Sequence, residues 1–334
     1  MKPTIEDVAS AAEVSRQTVS RVLNNKNNVS PKTRSKVIKA MKKLDYHPNE
    51  AARNFSRKHP KIIGFYTPFT EEKTAQIPFY SQVYPGITRV CMENDYQFYI
   101  FTNNKDQKTE DSIIQAFNKK KLGGLLITCP SLSVESLVKL KEKGLAFVIM
   151  GRPALEKKFI YIDHNNKKMG YKGTRHLIKS GCKRIILING PKFMTYSEDY
   201  NLGYKDALEE HQISYNSDLV FFEDLTQADG FKIMKKILKM NLDFDGIYVV
   251  NGMMTLGVFE AVRQEGLSIP EDFSLFCGSI NGIKEMYPQI TGFTQDYNKF
   301  ARTATELLIK VMDEETIENK SIVLESEFFQ GTTC

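Results

Sequence analysis

TIEDVASAAEVSRQTVSRVLNN, residues 4–25, decides how the chain begins. Thr4, with Asp7 three residues on, has the form of an N-cap and its N3 carboxylate, and Ile5, Val8, Ala9 and Ala12 make one apolar stripe at helical spacing. Ser15 caps a second helix whose Val19, Val22 and Leu23 point inward, leaving Arg16, Gln17, Ser20, Arg21 and Asn24 outward. Ser30-Pro31 supplies a cap and a first-turn proline for a third helix, with Val37, Met41 and Leu44 facing in. Three short helices on one small core, the first two only a few residues apart, make a helix-turn-helix. The outward face of the second helix is either an ordinary polar surface or one that reads DNA. Glutamine can pair at two points with adenine and arginine with guanine, while serine and threonine bond base edges or phosphates. The capped helix before it and the basic helix after it favour DNA.

The net charge of +6 is unevenly spread. Residues 1–60 hold 13 lysines and arginines against 5 acids, and the rest of the chain holds 33 against 35. This asymmetry suits a polyanion partner for the first sixty residues, although a charged, soluble extension fits the charge alone equally well. With 334 residues, 41% of them hydrophobic, the chain can bury a sizeable core in more than one domain. It contains no run of about 18 apolar residues. The opening MKPTIEDVAS carries charge where a signal peptide has its apolar stretch, so a cytoplasmic protein with no membrane partner is expected. Cys91, Cys129, Cys182, Cys277 and Cys334 are scattered and form no CxxC pair, which points to neither a disulfide framework nor a zinc site.

NEAARNFSRKHPK, residues 49–61, is polar and basic and reads as a linker. From Ile62 the texture changes to apolar strand-like runs, IIGFYTP, QFYIFT, GGLLIT, AFVIMG, RIILING, LVFFED, GIYVVN and FSLFCGS, separated by amphipathic helical segments. This alternation predicts an α/β body of two lobes with parallel sheets covered on both faces, crossing over near residues 157–166. The body lacks GxxxxGK[ST], GxGxxG, GxSxG and HExxH. His47, His59, His164, His176 and His211 are isolated, and Asp243 and Asp245 read as loop carboxylates before a strand. No catalytic residue, metal site or cofactor is indicated.

Residues 4–25, VSPKTRSKVIKAMKKLDYHPNEAAR (residues 29–53), IIGFYTP and the alternating body down to VLESEFFQGTT together resemble the LacI/GalR family of bacterial transcription regulators. The resemblance implies a homodimer whose heads read a roughly palindromic double-stranded operator, protein symmetry matching half-site symmetry. By position it implies that Arg16, Gln17 and Arg21 face bases and that Thr4, Ser15, Thr18, Ser20, Asn24, Ser30 and Thr33 largely hold phosphates. It also implies that Tyr46 and Asn49 anchor a hinge. The linker, with Ala52, Arg53 and Phe55, would become a helix in the minor groove, Phe55 standing where the family usually carries a leucine wedge. Glu13 replaces the family's usual turn glycine.

The body resembles two-lobed periplasmic sugar-binding proteins, and AFVIMGRP with FIYIDHNN resembles maltose-type repressors of Gram-positive bacteria. The implied effector is a small molecule, chiefly a saccharide, in the cleft at the strand ends. Candidate contacts are Phe69, Phe79, Tyr80, Arg152, Asp163, Tyr200, Asn251 and Ser279, the three aromatics being equally readable as core. Tyr200, Gly252 and Ser279 stand where the family usually has an arginine and two aspartates, so the usual charged grip on hydroxyls is lost. A non-sugar ligand, a protein partner or no effector therefore remain alternatives, as does a solute-binding protein with an incidental extension. The expected division is a head at 1–48, a hinge at 49–60 and a body at 61–334. Within the body the first lobe takes about 61–160 and 292–320, and the second about 161–291 and 321–334.

Overall fold

In the computed structural model, residues 3–23, 29–46, 59–67, 69–102, 109–119, 122–128, 132–240, 242–286 and 288–334 are described, and the chain divides into two units, Met1–Pro60 and Lys61–Cys334. The first holds helices α1 (Ile5–Ala12), α2 (Arg16–Leu23) and α3 (Pro31–Lys43). The Thr4 N–H donates to Asp7 at 2.7 Å and the Asp7 N–H donates to Thr4 Oγ1 at 3.3 Å, so both halves of the capping box are present. Helix α1 stops at Glu13, which sits at φ 54° and ψ 46°, a left-handed conformation that favours glycine. Val8, Ala12, Val19, Val22, Val37 and Ala40 close the core, with Leu23, Met41, Leu44 and Tyr46 partly buried against it.

The second unit is built on two six-stranded sheets. The first contains β1 (Ile62–Tyr66), β2 (Gln97–Phe101), β3 (Gly124–Thr128), β4 (Ala146–Met150), β5 (Tyr161–His164) and β11 (Ser321–Leu324), in the order β11-β5-β4-β3-β1-β2, all parallel. The second contains β6 (Ile185–Asn189), β7 (Val220–Phe222), β8 (Gly246–Val249), β9 (Ser274–Cys277), β10 (Gly292–Thr294) and β12 (Glu327–Phe329), in the order β12-β10-β9-β8-β6-β7. There only β10 and β12 run antiparallel. Every residue of β3 and β6 is buried, as unbroken apolar runs require of central strands covered on both faces.

Helices α4 (Glu71–Gln76), α5 (Pro78–Glu93), α6 (Thr109–Asn118) and α7 (Val134–Glu142) belong to the first lobe; α8 (Asn166–Lys179), α9 (Thr195–Glu210), α10 (Gln227–Lys239) and α11 (Gly252–Gln264) belong to the second. Helix α12 (Tyr297–Met312) returns to pack on α5 and on β3 to β5. Helices α8 and α9 approach so closely that a Cβ on Gly203 would lie 2.0 Å from the Lys167 carbonyl oxygen. No described helix is long and apolar enough to cross a membrane.

The lobe boundaries differ from the sequence expectation in one systematic way. Strands β5, β10 and β11 begin at 161, 292 and 321, where crossings were expected, yet each still pairs within the lobe it was expected to leave. The chain crosses after each strand, through Asn165, then Gln295-Asp296, then Glu325-Ser326. YIDH, GFT and SIVL are three or four residues long and held by main-chain pairing, so they leave no long apolar run to read.

Candidate functional site

In both sheets the loops leaving the carboxyl ends of the strands converge, as open parallel sheets require of a binding crevice. They enclose a cavity of about 270 Å³ between the lobes. All eight effector candidates, Phe69, Phe79, Tyr80, Arg152, Asp163, Tyr200, Asn251 and Ser279, lie on its wall, but they do different things there.

The first-lobe wall is an aromatic cluster. Phe79 meets Tyr80 and Tyr297 edge to face, with centroids 5.3 and 5.1 Å apart, and Phe300 stacks on His164 at 4.9 Å. Phe69 touches Tyr80 edge-on at 6.3 Å. Tyr80 is buried and belongs to the lobe core, so core and cavity wall are one surface here.

Arg152 leaves the end of β4 and reaches the start of α9 in the other lobe. Its Nε and Nη2 donate to the two Asp199 carboxylate oxygens at 2.9 and 2.8 Å, and Nη2 also reaches the Thr195 carbonyl at 3.3 Å. Glu198 and Glu156 complete the pairing at 3.3 and 3.2 Å. Burial works against the guanidinium charge, but these carboxylates outweigh it and hold the pKa above its ordinary value. Thr195 Oγ1 donates back to the Arg152 carbonyl at 2.6 Å. Arg152 thus clasps the two lobes instead of presenting a free guanidinium to a ligand. A neutral clasp complements it: Asn281 Nδ2, past β9, donates to Gln82 Oε1 on α5 at 3.0 Å.

Asp163 accepts from the Arg152 and His164 N–H groups at 3.0 and 2.8 Å and from Asn166 Nδ2 at 3.1 Å. Burial prevails over these bonds, and its pKa is pushed up to about 7. Burial drives neighbouring His164 the other way, down to about 4, and among the described residues its Nε2 has no hydrogen-bond partner. Tyr200 is buried, its hydroxyl donating to Met169 Sδ at 3.7 Å, and burial raises its pKa well above the usual value. Gln295 Nε2 and Ser326 Oγ, from two of the crossing segments, approach the same sulfur at 3.8 and 3.1 Å. Asn251 caps α11, accepting from the Met254 N–H at 2.9 Å. Ser279 Oγ lies 3.4 Å from the Tyr297 hydroxyl, which donates to Gln295 Oε1 at 2.6 Å.

Among the described residues on the wall, Arg152 is the one lysine or arginine, and it is already paired. What the cavity offers a ligand is therefore aromatic faces, amides, hydroxyls and the carboxylates of Asp163 and Asp224. Asp199, Gln82, Asn281, Gln295 and Tyr297 were not singled out from sequence. Asp199 looks like any acid near the start of a helix, and the others sit in helices or connections with no charge to mark them.

On the head, Arg16, Gln17 and Arg21 are exposed along α2, whereas Thr18 and Ser20 are half-buried. Arg16 Nε lies 3.2 Å from Glu6, an exposed pair worth little in solution. Thr4, Ser15 and Ser30 accept from backbone N–H groups of the helices they begin, and the Ser15–Thr18 and Ser30–Thr33 hydroxyls pair at 2.9 Å. Tyr46 packs on the head core. Asn24, Asn49, Ala52, Arg53, Phe55 and the expected hinge helix lie outside the described residues. Among the described residues no cluster of His, Cys, Asp and Glu has the makings of a metal site.

Residues 4–49 match the family model described as bacterial regulatory proteins, lacI family, and residues 174–334 match that of a periplasmic binding protein-like domain. The HTH-type transcriptional regulator MalR of Streptococcus pneumoniae is 33% identical over 272 residues, 81% of this chain and 82% of that protein. Catabolite control protein A of Staphylococcus epidermidis is 27% identical over the whole of both chains. Among solved structures, the transcriptional regulator CelR–cellobiose complex is 28% identical with a TM-score of 0.76, covering 99% of this chain and 100% of that one. The lac repressor dimer bound to operator and the anti-inducer ONPF, 23% identical with a TM-score of 0.82 over 100% of this chain and 99% of that one, shares the fold.

Proposed function

The chain belongs to the LacI family of bacterial transcription regulators and is a DNA-binding protein, not an enzyme; from that premise we propose that it is a cytoplasmic repressor of carbohydrate-utilisation genes, released from its operator by a neutral saccharide. It acts as a homodimer on a palindromic site. Arg16, Gln17 and Arg21 read bases, and the capping hydroxyls of α1, α2 and α3 hold phosphates.

The observation that carries the ligand class is the cavity wall: an aromatic cluster, amides, hydroxyls, the carboxylates of Asp163 and Asp224 and, among the described residues, a single lysine or arginine, engaged by Asp199. Such a wall stacks on the apolar face of a sugar ring and bonds its hydroxyls, but has no free cation for a phosphate or carboxylate. The CelR relative with cellobiose bound supports the same class. Ligand shifts the relative arrangement of the lobes, and operator affinity falls by the difference in its binding energy to the two arrangements.

A thermal-shift panel of neutral sugars, sugar phosphates and nucleobases tests the ligand class. A true ligand at 100 times its Kd adds about 2.7 kcal/mol of stability. Neutral sugars should shift the transition and their phosphates should not; a flat panel, or a response to phosphates alone, would remove the neutral saccharide. For the head, Arg21→Ala should weaken cognate operator binding by roughly 1–3 kcal/mol and random DNA less. Equal losses on both would make Arg21 a phosphate contact.

A further inference from the structure

We infer that the ligand site extends to Phe193 at the rim of the cavity, which forms an outer subsite stacking an additional ring of an oligosaccharide. The inference rests on the saccharide reading above and adds to it a chain length.

Phe193 lies in the loop between β6 and α9, and it lines the cavity together with its neighbours Met194, Thr195 and Tyr196. Met194 is 8% exposed, but Phe193 is 75% exposed. It belongs to none of the hydrophobic cores, and no ring packs on it among the described residues. A bare phenylalanine on a cavity wall whose other aromatic rings are packed is a large, exposed apolar face. It stands two residues from Thr195, whose hydroxyl bonds the Arg152 carbonyl, so it sits at the rim beside the interlobe clasp.

The cavity volume of about 270 Å³ falls just short of the roughly 300–1,000 Å³ typical of ligand pockets. It suits a short saccharide. A longer chain must leave by the mouth, where Phe193 offers an apolar face in place of the stacked rings inside. A ring stacked there gains contact that a shorter ligand cannot reach.

Isothermal titration of the full-length protein with glucose oligomers of one to four rings, in both the α-1,4 and β-1,4 series, tests this. In the series that binds, affinity should rise about tenfold on adding the ring that emerges from the cavity. Phe193→Ala should remove that step, so that the longer oligomer binds no better than the one before it, and Phe193→Tyr should keep it. Affinity that levels off before any emerging ring would overturn the subsite. So would equal losses for all lengths in Phe193→Ala, which would make Phe193 a lid. If neither series binds while other neutral sugars do, the chain-length inference falls and the saccharide class stands; if no neutral sugar binds, both fall.

Discussion

Removing the guanidinium of Arg152 should open the two lobes. Its side chain is 20% exposed and that of Asp199 15%, so their paired bonds at 2.9 and 2.8 Å are largely screened from water. Truncating one member of a buried pair leaves an uncompensated charge and costs about 3–5 kcal/mol in full burial, which the residual exposure lowers to about 2–4 kcal/mol. Glu198 and Glu156 are 65% and 47% exposed and add little. Because the clasp joins one lobe to the other, the loss falls on the closed arrangement, and about 1.4 kcal/mol is tenfold. The closed-to-open ratio of Arg152→Ala should therefore drop by more than tenfold, and a ligand that needs closure should bind more weakly in proportion to the closed fraction lost. Small-angle scattering of the ligand-free protein should show a larger radius of gyration, and calorimetry the weakened binding. Arg152→Lys keeps the charge but cannot span both oxygens of Asp199, so it should fall between. An Arg152→Ala protein with lower thermal stability but unchanged radius and ligand affinity would show that the clasp serves the fold and does not hold the lobes together.

Asp163 and His164 predict opposed pH responses. The Asp163 pKa rises from 3.8 to about 7 on folding, so the stability it contributes is full below pH 3.8 and is lost as pH climbs through about 7. The His164 pKa falls from 6.5 to about 4, so its contribution is full above pH 6.5 and is lost as pH drops through about 4. Denaturant unfolding between pH 4 and 7 should lose stability with falling pH in Asp163→Asn and with rising pH in His164→Asn; the reverse slopes would refute both assignments. Glu13→Gly should relieve the left-handed C-cap of α1 and stabilise the head by about 0.5–1 kcal/mol, measured by thermal melting. By removing an acid near the phosphates it should also tighten operator binding at low salt, and unchanged affinity would place Glu13 away from the DNA.

Much of this was legible in the residues. The caps Thr4, Ser15 and Ser30, the inward stripes of α1 to α3 and the long apolar runs of the body all announce their elements, because each carries a local signal of period or punctuation. Strands β5, β10 and β11 do not: their pairing is main-chain bonding between segments far apart in sequence, and three or four residues cannot display a period. The cavity's membership was legible through the family resemblance, which implied eight positions that all lie on its wall. Roles were not. Arg152 in AFVIMGRP looks like a ligand-binding cation, and only Asp199, 47 residues away, makes it a clasp. Phe79 and Tyr80 could not be divided between core and site because they serve both.

The three crossing segments have one residue, Asn165, or two residues each, Gln295-Asp296 and Glu325-Ser326. Each tether is only a few ångströms long; the Asn165 N–H donates to the Leu324 carbonyl at the start of the third, and the second and third both reach the Met169 sulfur. Three short, neighbouring tethers allow one lobe to turn against the other but leave no slack for it to slide or draw away. Any signal from the cavity must therefore leave as an angle, small at the tethers and multiplied by lever arm toward the far ends of the lobes.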